Sequence, residues 1–246
     1  MPVILELPFI NETAPSLELI HLPRYFLRYL AAVDPGRAVL LQHTSPPRPY
    51  TLSKFFYKGG QWQWRITFLQ DDLADLFLDG VTVLQASECD ENQLVLNTSK
   101  VITQETTYQS LLSTALPATS LRLRFLSPTS FRTRLTTYPL PDPVGMVQSW
   151  WERWNTFSRE KLDCVLLDVA AVHLAVSSCK IRTRLVDLGV GQQIGFIGVV
   201  TLRVVKANKI GEDVLRHLNA LAAYADFCGT GQRTAQGMGQ TRCYKR

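Results

Sequence analysis

Hydrophobic spacing along this chain switches between a period of two and a period of 3.6 in the order strand, helix, strands, helix, strands, and that outline runs twice. In the first run, residues 3–9 alternate loosely and read as a strand, ended by Asn11, Glu12, Thr13 and Pro15. A helix follows near Pro23, with Leu22, Phe26, Leu30 and Val33 as its apolar stripe. Arg24 with Arg28 and Tyr25 with Tyr29 form i, i+4 pairs beside that stripe. Asp34-Pro35-Gly36 stops or kinks the helix, and a basic loop, TSPPRP, leads into a strand over 50–56. Gly59-Gly60 joins that strand to QWQWRITFL, where Trp62, Trp64, Ile66 and Phe68 alternate, as in a hairpin with one buried face. Asp72 caps a short helix over 73–78, Gly80 follows it, and residues 81–86 and 93–97 read as two further strands.

The pattern restarts after a linker at Ala115-Leu116-Pro117-Ala118. Leu121, Leu123, Phe125 and Leu126 mark a strand that Pro128 breaks and Phe131 resumes. A Pro-rich loop over 138–143 leads to a helix over 146–157 whose Trp150, Trp151 and Trp154 have the spacing of a buried face. Residues 173–188 alternate arginine with apolar side chains, residues 195–206 are rich in β-branched ones, and a helix over 211–227 precedes the tail. The expected fold is α+β: two tandem ferredoxin-like domains with antiparallel sheets, residues 1–117 and 118–246, without residue-level repetition. Such a fold hosts many activities and selects none.

Charge divides the chain more sharply than composition does. The total is 26 Lys+Arg against 21 Asp+Glu, a net +5. Residues 1–119 hold 8 basic and 12 acidic side chains, whereas 120–246 hold 18 and 9. The halves therefore balance at −4 and +9, which points the second toward a polyanion or, more plainly, gives it a surplus of solvated arginines. Five cysteines, Cys89, Cys164, Cys179, Cys228 and Cys243, form no C-x-x-C and read as reduced thiols of a cytoplasmic protein. The opening MPVILELPFINET lacks a basic leader region, and no run approaches a membrane span of about 18 apolar residues.

The tail FCGTGQRTAQGMGQTRCYKR places two G-x-G pairs, Gly229, Gly231, Gly237 and Gly239, around a polar, basic spacer. Glycines at this density free backbone N–H groups to approach a phosphate; equally, they build a tight turn over a sheet. The segment is neither a dinucleotide fingerprint, since it follows a helix, nor a Walker loop, since G-K-[ST] is absent. No paired Cys/His spacing, H-E-x-x-H or carboxylate cluster beyond Asp71-Asp72 suggests a metal.

This tail, together with the VDPGRAVLLQH and PRPYTLSKF segments, LRFLSPTSFRT and IGFIGVVTLRV, resembles the repeat-associated mysterious protein superfamily. Within it the chain is similar to the CRISPR-associated endoribonucleases that process precursor CRISPR RNA. The resemblance implies metal-independent cleavage with no cofactor: a base takes the ribose 2′-OH proton, the oxygen attacks the adjacent phosphate, and an acid protonates the departing 5′ oxygen. It places the general acid or base at His43, expected in a loop past the first helix, where the alternative is a solvated bystander. His21 is a second candidate or a capping residue, and Tyr29, with Tyr25 competing, could contact the cleavage site or simply pack. Lys54 is a candidate for stabilising the phosphorane, and Arg24 and Arg28 for holding the scissile phosphate. RNA binding falls to Gly229, Gly231, Gln232, Arg233, Gly237 and Gly239 and to Lys180, Arg182 and Arg184, which alternation puts on one strand face. His173, in an alternating strand, and His217, on the last helix, have no assigned role. The implied partner is CRISPR repeat RNA, precursor and processed, with a CRISPR effector complex and a second copy of the chain as candidate partners and no membrane. Two alternatives stay open: a catalytically inactive RNA-binding subunit of the superfamily, and an unrelated ferredoxin-like regulator of small molecules.

Overall fold

The computed structural model describes residues 1–10, 18–86, 95–133, 136–189 and 191–244. Asn11, Glu12, Thr13, Pro15, Cys89, Gln93, Lys245 and Arg246 lie outside the described residues. The chain runs β1 (Val3–Pro8), α1 (Leu22–Ala31), α2 (Pro35–His43), β2 (Tyr50–Leu52), β3 (Phe56–Lys58), β4 (Gln61–Phe68), α3 (Asp72–Ala86), β5 (Ile102–Glu105) and α4 (Tyr108–Ser113). It continues with β6 (Ser120–Thr129), β7 (Phe131–Arg132), β8 (Thr137–Tyr138), α5 (Pro143–Phe157), α6 (Val165–His173), β9 (Leu174–Asp187), β10 (Gln192–Val204), α7 (Glu212–Cys228) and β11 (Thr241–Tyr244).

The sheets are ordered β2-β4-β1-β5, with β3 beside β4, and β11-β6-β10-β9. Numbered by appearance, the first unit's main strands run second, third, first, fourth from one edge and the second unit's fourth, first, third, second, and their pairings are antiparallel. In both, the first and third strands lie side by side at the centre, so the ferredoxin-like winding is present twice. In the first unit Val3, Leu5 and Leu7 of β1 and Trp64, Ile66 and Phe68 of β4 face the helices, where Phe26 stacks on Tyr50 at 4.1 Å and on Phe77 at 5.4 Å. The second core joins Leu121, Leu123 and Phe125 of β6 to Trp150 and Trp154 of α5 and Leu221 of α7. It also takes in Ile4 and Leu69 of the first unit, so the two units share packing. The tryptophans are core, as their spacing predicts. Trp150 and Trp154 are fully buried, while Trp151 is partly so and donates to the Leu162 carbonyl at 2.9 Å.

Several elements differ from the sequence expectation. Residues 81–86 are not a strand but the end of α3, which runs through Gly80. The glycine ends nothing; it brings α3 against α1, since a Cβ there would lie 1.9 Å from the Tyr29 carbonyl oxygen. The fourth strand of that unit is β5, not 93–97, of which the described part contributes one bridge, Leu96 to Phe9. The expected strand over 50–56 is two short ones, β2 and β3, both on β4. Asp34 does end α1, but it also caps α2, its side chain accepting from the Arg37 amide at 2.8 Å. His43 is therefore the last residue of a helix and not a loop residue. Pro128 does not break β6; it sits where the β6–β10 register shifts, a place that tolerates its missing N–H. Helix α6 had no sequence expectation, and His173 closes it instead of opening a strand.

The α1–α3 contact gives a stability prediction. Gly80→Ala should destabilise the fold by about 1–3 kcal/mol, the usual cost of forcing atoms into a packed contact. Gly211→Ala, where an added Cβ meets nothing and only the N-cap preference of α7 is touched, should lower the urea midpoint by clearly less.

Candidate functional site

The three C-terminal segments that carried the resemblance hold one another. Leu126 donates to the Gln240 carbonyl at 2.7 Å, Gly239 to that of Pro128 at 2.9 Å and Gln232 to that of Ser130 at 3.0 Å. The Gln240 amide donates to Ser127 Oγ at 2.9 Å, and the Gln232 side chain to Ser130 Oγ at 3.0 Å. A Cβ on Gly231 would lie 2.3 Å from the Ser130 carbonyl oxygen, and one on Gly239 2.2 Å from that of Thr230; both residues also have positive φ. Gly195, from the third segment, abuts Thr129 and Pro128 in the same way.

Helix α5 locks this clasp from below. Arg153, 8% exposed, donates to the Gly231 carbonyl at 2.6 Å and to the Ser149 carbonyl at 2.8 Å, and Ser149 Oγ accepts the Gly231 amide at 3.1 Å. Trp150 Nε1 reaches Thr230 Oγ1 at 2.9 Å. Toward the first unit, Gln240 donates to Thr51 Oγ1 at 3.2 Å and to the Leu52 carbonyl at 3.1 Å, while Gly237 packs on Leu19 and Leu22.

A cleft of about 750 Å³ opens over this clasp. One wall is Pro46, Pro47 and Arg48; the others are α5, Arg132 and residues 231–236. Arg48 donates to the Tyr50 hydroxyl at 3.0 Å and to the Gln42 carbonyl at 3.2 Å, tying the last turn of α2 to β2. The connection that begins at His43 and the glycine segment thus meet at one cleft. His43 itself is exposed and stands three residues before Pro46, outside the lining residues. His21 precedes α1, half-buried, with Nε2 3.3 Å from a Glu18 carboxylate oxygen and its ring 6.2 Å from Tyr25.

The remaining expected residues are dispersed. Tyr29 is 5% exposed and packs edge-on against Phe77, so its place is in the core; Tyr25 is the more open of the pair. Arg24 and Arg28 are exposed on α1, and Arg28 lines a small depression with Gln85 and Leu96, separate from the cleft. Lys54 is exposed between β2 and β3. The glycines do not offer a row of amides: those of Gly229, Gly231 and Gly239 already donate to protein acceptors. What the segment presents to the cleft is side chains, Gln232, Arg233 and Gln236.

Lys180, Arg182 and Arg184 are exposed on β9, and the register extends their face across the whole sheet. Lys180 pairs with Val199, Val199 with Arg124, and Arg124 with Arg242. Arg122 and Arg203 are exposed on the same face, and Arg122 lies 5.4 Å over the Tyr244 ring. The four strands carry a single acid, Asp187, at the end of β9. Seven cations therefore lie on the face opposite the helices; one of them, Arg242, is 3.5 Å from the Glu6 carboxylate of the first unit. Arg122 and Arg124 were detectable in the strict alternation of LRLRF, whereas Arg242 joins only through β11 pairing.

Among the described residues, no group of three or more His, Cys, Asp or Glu is placed to hold a metal ion, and no helix is long and apolar enough to cross a membrane. The described cysteines are free, and burial pushes the Cys228 thiol up to about 12.

Comparison with known proteins agrees with this architecture. Residues 123–241 match the family model of the CRISPR-associated endoribonuclease Cas6. Thermus thermophilus Cas6 (TTHB231), in a product complex, superposes with a TM-score of 0.87 at 25% identity over 99% of each chain. The product complex of Cas6 (TTHA0078) gives 0.82 at 25% identity over 100% of each. A protein described as a RAMP protein binding different RNA substrates shares the fold, at 0.61 and 14% identity over 100% of each. A search of curated protein sequences returns no match.

The clasp has its own test. Arg153→Met keeps much of the side-chain volume but leaves the Gly231 and Ser149 carbonyls without their charged donor. It should cost about 1.5–3 kcal/mol, the worth of hydrogen bonds to a charged group, and hydrogen exchange across residues 229–240 should accelerate.

Proposed function

We propose that this chain, whose second half matches the Cas6 endoribonuclease family and whose whole fold is that of Cas6, cleaves CRISPR repeat transcripts in the cytoplasm without a metal ion. The observation that carries this reading is the meeting of the connection from His43 with the arginine-lined, glycine-segment cleft. An RNA strand held there brings a ribose 2′-OH toward the end of α2. His43 takes or delivers a proton at that oxygen or at the departing 5′ oxygen, with His21 as the complementary group. The 2′ oxygen bonds to phosphorus as the bond to the 5′ oxygen breaks, leaving a 2′,3′-cyclic phosphate and a 5′-OH. Arg48, Arg132 and Arg233 line the path of the phosphates and offset the charge that builds on the phosphorane.

The cationic sheet face supports a second contact along the RNA, with Lys180, Arg182 and Arg184 continued by Arg124 and Arg242. Tyr29 has no direct part in this mechanism because it is enclosed. Lys54, Arg24 and Arg28 remain proposed phosphate contacts for RNA that extends beyond the cleft. An effector complex or a second copy of the chain would receive the processed RNA on surfaces left free.

Cleavage of labelled repeat RNA in EDTA, with His43→Ala as control, is the direct test. Activity that persists in EDTA and falls by at least about 10²-fold in the variant, a typical acid–base contribution, supports the mechanism. Tight binding with no cut by the wild type would instead support the RNA-binding subunit, a reading favoured by His43 lying outside the cleft lining.

Binding should also respond to salt. Replacing Arg182 and Arg184 together by Ala should lower the slope of log affinity against log salt by about 0.7 for each phosphate of a single-stranded RNA that the variant no longer neutralises. An unchanged slope would remove the sheet face from the RNA path.

A further inference from the structure

A carboxylate is out of place in a cleft built for phosphates, and this cleft holds one. Glu152 lines it together with Arg48, Arg132, Arg153 and Arg233. Among the described residues it pairs with none of these arginines. Its partner is Gln148, one turn earlier on α5, whose amide donates to Glu152 Oε1 at 2.8 Å. Arg153 is committed to carbonyls of Ser149 and Gly231, and Arg233 donates to Gln236 Oε1 at 2.9 Å. Glu152 therefore neutralises no cation, and its charge opposes the approach of any phosphate.

An ionised carboxylate only accepts hydrogen bonds. Gln148 gives one amide N–H to Glu152 Oε1 and keeps a second, while both carboxylate oxygens keep lone pairs to offer. The pair together offers donor, acceptor, acceptor. In RNA the complementary order, acceptor, donor, donor, is the Watson–Crick edge of guanine: O6, N1–H and the N2 amine. Uracil offers a single N–H between two carbonyls, and adenine and cytosine each set one amine beside an acceptor. The match is available only when the guanine is unpaired. At about 750 Å³ the cleft lies within the range of about 300–1,000 Å³ usual for small-ligand sites, ample for one nucleotide.

We infer that Glu152 and Gln148 form a base-reading site that selects one unpaired guanosine in the bound RNA, while Arg48, Arg132 and Arg233 hold the flanking phosphates. This deepens the RNA reading above and rests on it. Specificity then resides on α5, and phosphate binding on the loops around it.

The test is selection from a synthetic RNA pool of random sequence by the wild type and by Glu152→Gln, which keeps shape and removes the charge and one acceptor. Wild-type winners should share one invariant unpaired guanosine. Replacing it with inosine, which lacks the N2 amine, should weaken wild-type binding about tenfold and leave binding by the variant unchanged. Equal inosine penalties for both proteins, or a variant that binds all RNA more tightly with the same base preference, would overturn the assignment. A wild type that binds its winners without cutting them would count against the nuclease and leave the guanosine comparison intact. A wild type that enriches no RNA would overturn both.

Discussion

Everything in the second unit depends on how closely two stretches of backbone can approach each other. Residues 126–130 and 229–240 exchange hydrogen bonds at 2.7–3.0 Å, with the Ser130 carbonyl oxygen standing where a Cβ of Gly231 would be and, inside the tail, that of Thr230 where a Cβ of Gly239 would be. No other residue type closes that contact, because the positive φ and the missing Cβ are required together. The buried Arg153 then fixes the seam from α5, and Gln240 carries it across to β2. The glycine pairs are thus first an architectural device. They decide where the cleft lies, and its chemistry comes from the side chains that the clasp leaves facing outward.

How much of this was legible follows from which signals are local. Alternation in LRLRF and in QWQWRITF reports burial directly, since one face of each strand packs on helices, and both segments are strands, the first running on through Pro128 where a break was expected. The doubled winding was legible for the same reason. Residues 81–86 misled because β-branched valines favour strands on their own, whereas here α3 extends through Gly80 and brings Val81 and Leu84 onto the first core. The role of the tail was invisible because it depends on Ser127, Pro128 and Ser130, a hundred residues earlier. Glu152 was passed over because a single acid on a helix carries no periodic signal; only the cleft makes it unusual.

The charge asymmetry of the two halves also acquires a location. The surplus cations of the second half do not gather at the contact between units, where Glu6, 9% exposed, sits between Lys58 at 3.0 Å and Arg242 at 3.5 Å. Arg65 is buried there as well, donating to the Asp226 carbonyl at 2.7 Å, and desolvation lowers its pKa. Gln63 Oε1, Arg65 Nε and Thr67 Oγ1, all on this side of β4, lack partners among the described residues. Such a seam binds the units with some polar cost, which the shared packing of Ile4 and Leu69 offsets. Lys180, Arg182, Arg184, Arg122, Arg124 and Arg203 are left to the open sheet, whose strands carry no acid but Asp187, and Arg132 and Arg233 to the cleft, whose lining carries no acid but Glu152.

The two ends of the site are held by very different means, and that difference bears on how it works. The glycine segment is mostly buried and tied by a dense set of hydrogen bonds, whereas His43 closes a nine-residue helix that buries only Ala38 and Leu41. Local opening costs least where few apolar contacts resist it, so the end of α2 should open more readily than the glycine segment. On the proposed function, an RNA strand would be positioned by the second unit and α2 would bring its imidazole to the scissile phosphate. Arg48 is the tether that limits this adjustment, because it holds the Gln42 carbonyl and the Tyr50 hydroxyl at once. A histidine outside the cleft lining in the free protein is therefore compatible with catalysis, provided that the helix end shifts when RNA fills the cleft.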